Sequence, residues 1–192
     1  MYECPDLLKS YRIVCLDLET TGLSAIFNNI IELGVVEIVN GEIKTKYSRL
    51  FGGGRSSMYL VRKVHKIRDF EREGKTTFAE SAKSVADWLN GAVLLTHNGA
   101  KFDIPFMKRK MEEVGVSLNF PFQIDTFLLS KKYGDHEFHS LKWLCEKYGI
   151  PYGDENHRGL TDCICTVQLL YALVEKFGPQ IIIQDLLKTI HK

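Results

Sequence analysis

The period of the apolar residues changes near the middle of the chain, and this change constrains the fold more than any other feature. Residues 11–18, 30–39 and 43–50 are rich in β-branched and apolar residues and indicate strands. Asn40 and Gly41 separate the second and third segments and predict a tight hairpin turn, because both residue types tolerate a positive φ. Three strands joined in this way predict an antiparallel meander.

After this meander the apolar residues repeat with a period near 3.6 and predict helices. Thr77 and Glu80 form a capping-box pattern at the start of the first helix. Residues 92–96 predict one more short strand. Further helices are predicted to begin near residue 104 and to span residues 126–133, 140–148, 161–176 and 180–190. The pattern predicts an α/β fold with a mixed sheet flanked by helices, in which a site lies at strand ends and helix starts.

The composition is typical of one soluble globular domain covering residues 1–192, with 45% hydrophobic and 26% charged residues. No apolar run approaches the ~20 residues that a membrane span requires. The net charge of +1 argues against a protein that coats nucleic acid, so any such binding requires a local groove. Five cysteines without a C-x-x-C pair predict free thiols in a reducing compartment, the cytoplasm or a eukaryotic nucleus.

Two acidic residues stand where the first predicted strand ends. Asp17 and Glu19 lie two positions apart, so their carboxylates point to the same face of the strand and can share one cation. A solvated strand end is the alternative interpretation. The apolar surroundings favour a cation, because burying two like charges is costly without one.

Further candidate residues surround the starts of later helices. Asp103 follows a strand and an HNG turn, where capping of the next helix is the alternative role. Asp162 lies near the start of a predicted helix, five residues after His157, whose unperturbed pKa of about 6.5 allows it to accept a proton near neutral pH. Asp125 is a fifth candidate acid, with helix capping as its simplest role. His97 is either a site residue or a structural histidine.

Three segments together resemble a known enzyme family. LDLETTGL at 16–23, HNGAKFDIPF at 97–106 and HRGLTD at 157–162 resemble, in order and spacing, the motifs of the DEDDh branch of DnaQ-like exonucleases. Shorter matches, among them IIELGVVEI and VHKI, extend the resemblance over about residues 11–175. The second motif is spaced as in three-prime repair exonucleases, whereas the third is closer to bacterial proofreading subunits. The subfamily therefore stays open.

This resemblance implies a ribonuclease H-like fold and a 3′→5′ exonuclease that removes single nucleotides from DNA, preferably single-stranded. It implies that two divalent ions, Mg²⁺ or Mn²⁺, are held by Asp17, Glu19, Asp103 and Asp162. His157 is expected to act as the general base for an attacking water. Substrate contacts are implied for Thr20, Leu23, His65, Ile67 and Asn98, with ordinary turn or core packing as the alternative for each.

Two other functions remain open at this level. An exoribonuclease that trims RNA ends or short oligoribonucleotides would use the same chemistry with a different pocket. A catalytically inactive nucleic-acid-binding or tethering module is the alternative from another class, although all five motif residues are present. The expected partner is a nucleic acid with a free 3′ end. Formation of a homodimer and association with a polymerase or repair protein are hypotheses.

Overall fold

A five-stranded mixed sheet lies at the centre of the computed structural model, which describes residues 1–54, 59–153 and 158–183, without the side chains of 59–61. The strands, in chain order, are β1 (Ile13–Thr20), β2 (Ile30–Val39), β3 (Glu42–Leu50), β4 (Val93–Thr96) and β5 (Gln123–Asp125). Their spatial order is β3-β2-β1-β4-β5. The first three strands pair antiparallel, whereas β4 and β5 run parallel to β1. The predicted meander and mixed α/β sheet are confirmed.

The turn between β2 and β3 has the predicted backbone. Asn40 and Gly41 adopt φ values of 55° and 80°, which is the left-handed region that a tight hairpin between twisted strands requires. The turn therefore sets the register in which β3 extends the sheet.

Helices cover both faces of the sheet. They are α1 (Asp6–Lys9), α2 (Tyr59–His65), α3 (Phe78–Leu89), α4 (Asp103–Glu112), α5 (Thr126–Tyr133), α6 (Leu141–Lys147) and α7 (Gly159–Phe177). The capping box is confirmed: Thr77 Oγ1 accepts from Glu80 N, and Glu80 Oε2 accepts from Thr77 N at 2.7 Å. Two helices, α1 and α2, were not predicted from the sequence. Of the last predicted helix, 180–190, the structure describes residues 180–183, which are helical. Within the described ranges, no helix is both long and apolar enough to cross a bilayer.

Successive side chains of β1 point alternately into two separate hydrophobic cores. Ile13 and Cys15 pack in the core that α5, α6 and α7 cover, whereas Val14 and Leu16 pack in the core under α3 and α4. All five cysteines are free thiols, as predicted. Asp17 and Glu19 follow Ile13 and Cys15 at a spacing of two. Because side chains two apart share a face, they face α7 at the end of the strand.

The start of α7 contacts β2 backbone against backbone through two glycines. A Cβ at Gly34 would lie 2.0 Å from the carbonyl carbon of Gly159, so no side chain fits there. We expect Gly34→Ala to lower the free energy of unfolding by about 3 kcal/mol, because helix and strand must separate. Urea unfolding measures the change. Gly153→Ala is the matched control, since a Cβ there meets nothing within 4 Å; equal stability of the two variants would contradict this prediction.

Candidate metal centre and active site

Three carboxylates converge where β1 ends beside the start of α7. Asp17 and Glu19 lie on the α7 face of the strand, and Asp162 lies in the first turn of the helix. Each of the three offers a carboxylate oxygen, and these atoms all lie within 4.8 Å of one another. Hard oxygen donors at such separations form a ligand set that suits Mg²⁺ or Mn²⁺.

Asp103 joins this group from the opposite core. It is the first residue of α4, but its side chain does not cap that helix, and Phe102 occupies the N-cap position. Instead, Asp103 Oδ1 accepts a hydrogen bond of 2.9 Å from Leu18 N, between the two acids of β1. The capping interpretation of Asp103 is therefore wrong, and the hydrogen bond fixes the carboxylate beside Asp17.

The electrostatics of the cluster disfavour four ionised groups without a cation. Burial raises the pKa of Asp17 well above its ordinary value, and the negative charges of Asp103, Glu19 and Asp162 raise it further. Burial likewise raises the pKa of Asp103 to about 7, although the Leu18 N–H opposes the shift. A divalent cation would remove this repulsion, and the donor set therefore fits a metal site.

A further acid, Glu32, lies under the cluster and was missed as a functional candidate. It faces Glu19 in the β1–β2 register, and only 1% of it is exposed. Its carboxylate accepts hydrogen bonds from Ser48 Oγ at 2.6 Å, Arg158 Nε at 3.3 Å and Gly159 N at 3.4 Å. The available signal was an acid near the start of the apolar run of β2, which holds Glu32 and Glu37. Glu32 thus ties the start of α7 to the sheet.

Glu32 and Arg158 both affect the pKa of Glu19. Burial raises the pKa of Glu19 well above its ordinary value, the negative charge of Glu32 adds to the shift, and the positive charge of Arg158 opposes it. The guanidinium of Arg158 therefore acts on a member of the carboxylate cluster.

Asp162 is oriented by a tyrosine that the sequence did not single out. Tyr152 Oη donates a hydrogen bond of 2.8 Å to Asp162 Oδ1. Burial raises the pKa of Tyr152, so the phenol remains a proton donor at neutral pH. No pattern in the sequence indicates this contact, since the two residues belong to a loop and a helix.

His157 lies outside the described residues, so its role as general base remains a prediction. His97 is a structural histidine: its Nε2 donates to the carbonyl oxygen of His139 at 3.0 Å, and its Nδ1 lies 2.8 Å from Thr126 Oγ1. Burial lowers the pKa of His97 to about 4, which leaves the imidazole neutral and both nitrogens engaged. It is therefore a poor base for water.

The five residues implied as substrate contacts divide by exposure. Leu23 and Asn98 are exposed, whereas Thr20, His65 and Ile67 are buried. The buried side chains have local partners: Thr20 Oγ1 donates to the Gly22 carbonyl oxygen at 2.7 Å, and His65 Nδ1 accepts from Ile67 N at 2.9 Å. Substrate contact remains a prediction for all five.

The loop after β1 presents an apolar surface beside the acids. Leu23, Ile26 and Phe27 are 71%, 63% and 83% exposed. Their loop is closed at its base, where Thr21 N donates to the Asn29 carbonyl oxygen and Asn29 N donates to Thr21 Oγ1, both at 2.9 Å. The loop therefore holds its apolar side chains in solvent, and Ile26 and Phe27 join Leu23 as candidate contacts.

Asp125 is a cap, as predicted. It begins α5 by accepting hydrogen bonds from Phe127 N at 3.0 Å and Leu128 N at 3.4 Å. It also accepts from Asn98 N at 2.8 Å and Ala100 N at 3.0 Å, so it holds the turn that leads to Asp103.

Comparison with known proteins identifies relatives of this chain. The RNase T exonuclease family model matches residues 14–170. The chain is 32% identical over 175 residues to a PolC-type DNA polymerase III of Staphylococcus aureus strain bovine RF122 / ET3-1, covering 88% of this chain and 12% of that protein. The corresponding protein of Staphylococcus saprophyticus is 30% identical over 173 residues. The chain thus spans about an eighth of the length of these relatives.

Solved structures share the fold. Exonuclease I of Escherichia coli in complex with a dT13 oligonucleotide superposes with a TM-score of 0.77 at 13% identity, covering 90% of this chain and 42% of that one. Exonuclease X in complex with 5′ overhanging duplex DNA superposes with a TM-score of 0.66 at 24% identity, covering 86% and 93%. The mixed sheet and its flanking helices therefore have the ribonuclease H-like arrangement of exonucleases.

Proposed function

This chain belongs to the DnaQ-like family of 3′→5′ exonucleases, and we propose that it removes single nucleotides from the 3′ ends of single-stranded DNA by metal-dependent hydrolysis. The observation that carries the proposal is the convergence of the Asp17, Glu19 and Asp162 carboxylates within 4.8 Å. DNA is favoured over RNA because the relatives include DNA polymerases and an exonuclease bound to a dT13 oligonucleotide.

Two divalent ions, Mg²⁺ or Mn²⁺, are the proposed cofactor, with Asp17, Glu19 and Asp162 holding one and Asp17 and Asp103 supporting the other. Bound there, they would supply a water of lowered pKa and balance the charge on the phosphate. Tyr152 orients the Asp162 carboxylate by donating to its Oδ1 at 2.8 Å.

The remaining roles belong to side chains around the cluster. His157 is the proposed general base that takes the proton of the attacking water. Leu23, Ile26 and Phe27 are proposed to contact the nucleobases, since exposed apolar and aromatic groups provide a sequence-tolerant stacking surface for single strands. A polymerase partner is proposed from the PolC-type relatives, in which the matching segment is 12% of the protein.

We expect His157→Ala to lower kcat by at least about 10²-fold, the contribution of a positioned general base. Metal affinity should be unchanged, because the carboxylates remain. Initial rates on an oligonucleotide measure the first effect, and calorimetric titration with Mn²⁺ measures the second. Parental turnover in the variant would transfer the base role to another group, and lost Mn²⁺ binding would make His157 a ligand instead.

The experiment that tests the function uses single-stranded DNA and RNA of matched sequence, each labelled at the 5′ end. Wild type and Asp17→Asn are incubated with each strand in Mg²⁺, Mn²⁺ and EDTA. The proposal predicts a ladder that shortens from the 3′ end, faster on DNA, and absent in EDTA and in the variant. Faster shortening of RNA would support the exoribonuclease, and binding of either strand without any ladder would support the inactive module.

A further inference from the structure

Arg158 carries a positive charge at the edge of the carboxylate cluster, and Glu32 holds its side chain there. Its Nε donates to Glu32 Oε1 at 3.3 Å, and its side chain is 38% exposed. The two Nη groups have no hydrogen-bond acceptor among the residues that the structure describes. A guanidinium has five N–H donors, so its Nη groups retain donor capacity beyond the described contact with Glu32.

The orientation of Arg158 is fixed by a carboxylate that cannot move freely. Glu32 is buried in β2 and receives hydrogen bonds from Ser48 Oγ and Gly159 N as well as from Arg158. The close packing of Gly34 on Gly159 holds the same part of α7 against the strand. Arg158 is therefore anchored at its Nε edge, with its Nη edge directed away from the contact.

The position of Arg158 beside the proposed metal ligands indicates what its Nη edge would bind. The four cluster carboxylates would be balanced by two divalent ions, and Glu32 balances Arg158. The phosphodiester of a substrate then brings one further negative charge. Glu32, which holds the Arg158 side chain, faces Glu19 in the β1–β2 register, and the Arg158 carbonyl oxygen accepts from Asp162 N at 3.2 Å, so Arg158 lies beside two proposed metal ligands. The phosphate nearest to those ligands is the one to be cleaved.

We propose that Arg158 contacts the scissile phosphate of the substrate through its Nη groups, and that Glu32 is the positioning residue that orients it. The inference rests on the proposed function. A planar guanidinium matches two phosphate oxygens with paired hydrogen bonds, which an ammonium cannot do. The contact strengthens as negative charge builds on the non-bridging oxygens during attack by water.

The competing explanation is that Arg158 only neutralises the buried charge of Glu32. Arg158→Gln, Glu32→Gln and the double variant separate the two, because the double variant is again neutral. We expect Arg158→Gln to lower kcat/KM by about 10²-fold, as for loss of one transition-state donor. The double variant should remain equally slow. Recovery of wild-type kcat/KM in the double variant would overturn the proposal in favour of neutralisation.

Arg158→Lys keeps the charge that Glu32 requires and thereby preserves the fold. It should also be slow, since it lacks the paired Nη donors, and a wild-type rate would overturn the proposal.

The p-nitrophenyl ester of thymidine 5′-monophosphate contains only the phosphate to be cleaved. We expect Arg158→Gln to hydrolyse it about 10²-fold more slowly than wild type; an unchanged rate on this ester would overturn the assignment to the scissile phosphate.

Measuring DNA binding under conditions without hydrolysis distinguishes failure of this inference from failure of the proposed function. With Ca²⁺ in place of Mg²⁺, the anisotropy of a labelled single-stranded oligonucleotide is followed across a range of salt concentrations. The slope of log K against log salt is negative, and its magnitude should fall by about 0.7 in Arg158→Gln, the value for one phosphate contact. An unchanged slope together with unchanged kcat/KM would overturn the inference alone. Wild type that neither binds nor hydrolyses DNA would overturn the proposed function, and the inference with it.

Discussion

Asp17→Asn is expected to reduce hydrolysis by about 10³-fold or more, because it loses several kcal/mol of transition-state charge stabilisation. Asp17 is the carboxylate that neighbours Glu19, Asp103 and Asp162 together. Its side chain therefore stands where two ions would share a ligand, and the amide keeps the shape while losing the charge. Initial rates in Mg²⁺ on a single-stranded oligonucleotide measure the loss.

The control for this variant is Asp87→Asn, which removes an exposed acid paired with Lys83 on α3 and far from the cluster in the fold. We expect it to retain the wild-type rate, since surface ion pairs contribute little. An Asp17→Asn enzyme within tenfold of wild type in Mg²⁺ would contradict the assignment of the cluster as the metal site.

Asp103→Asn is expected to stabilise the metal-free protein at high pH. The folded pKa of Asp103 is about 7, against an ordinary value of 3.8. Well below the ordinary pKa of 3.8 the carboxyl is protonated in both the folded and unfolded states, so the charge contributes no difference there. As pH rises towards 7 the unfolded state ionises first, and the wild type progressively loses stability. Three pKa units correspond to about 4 kcal/mol as an upper limit.

Urea unfolding in EDTA between pH 4 and pH 8 measures this difference. Asparagine retains an oxygen that accepts from Leu18 N, so the comparison isolates the charge. The difference between variant and wild type should grow with pH in EDTA and shrink or reverse in saturating Mn²⁺, since a bound ion stabilises the ionised cluster. A difference independent of pH would contradict the account of a strained acidic cluster.

Strand alternation and turn chemistry explain why much of this structure was predictable. The Asn40-Gly41 turn and the apolar alternation specify the meander locally. The spacing of Asp17 and Glu19 places both on one face because strand geometry has a period of two. The Asp125 cap follows from local backbone hydrogen bonding. Each of these predictions depends on residues within a few positions of one another.

The contacts that the sequence could not predict join distant segments. Glu32 and Arg158 are 126 positions apart, and their pairing depends on how closely α7 packs on β2. Asp103 shows the same limit: its position before a helix suggests a cap, whereas packing of α4 on β1 directs the carboxylate to Leu18 N. The Tyr152–Asp162 bond similarly depends on where a loop passes the helix. Local patterns do not encode such packing.

The central claim is that water activated at the Asp17 cluster attacks the last phosphodiester of a strand. A direct measurement is single-turnover hydrolysis of single-stranded DNA in ¹⁸O-labelled water with Mg²⁺, with mass analysis of the released nucleotide. The account predicts a 5′-mononucleotide carrying one ¹⁸O atom on phosphorus, and no product from Asp17→Asn. A 3′-phosphorylated product, or a 5′-mononucleotide without the label, would contradict it.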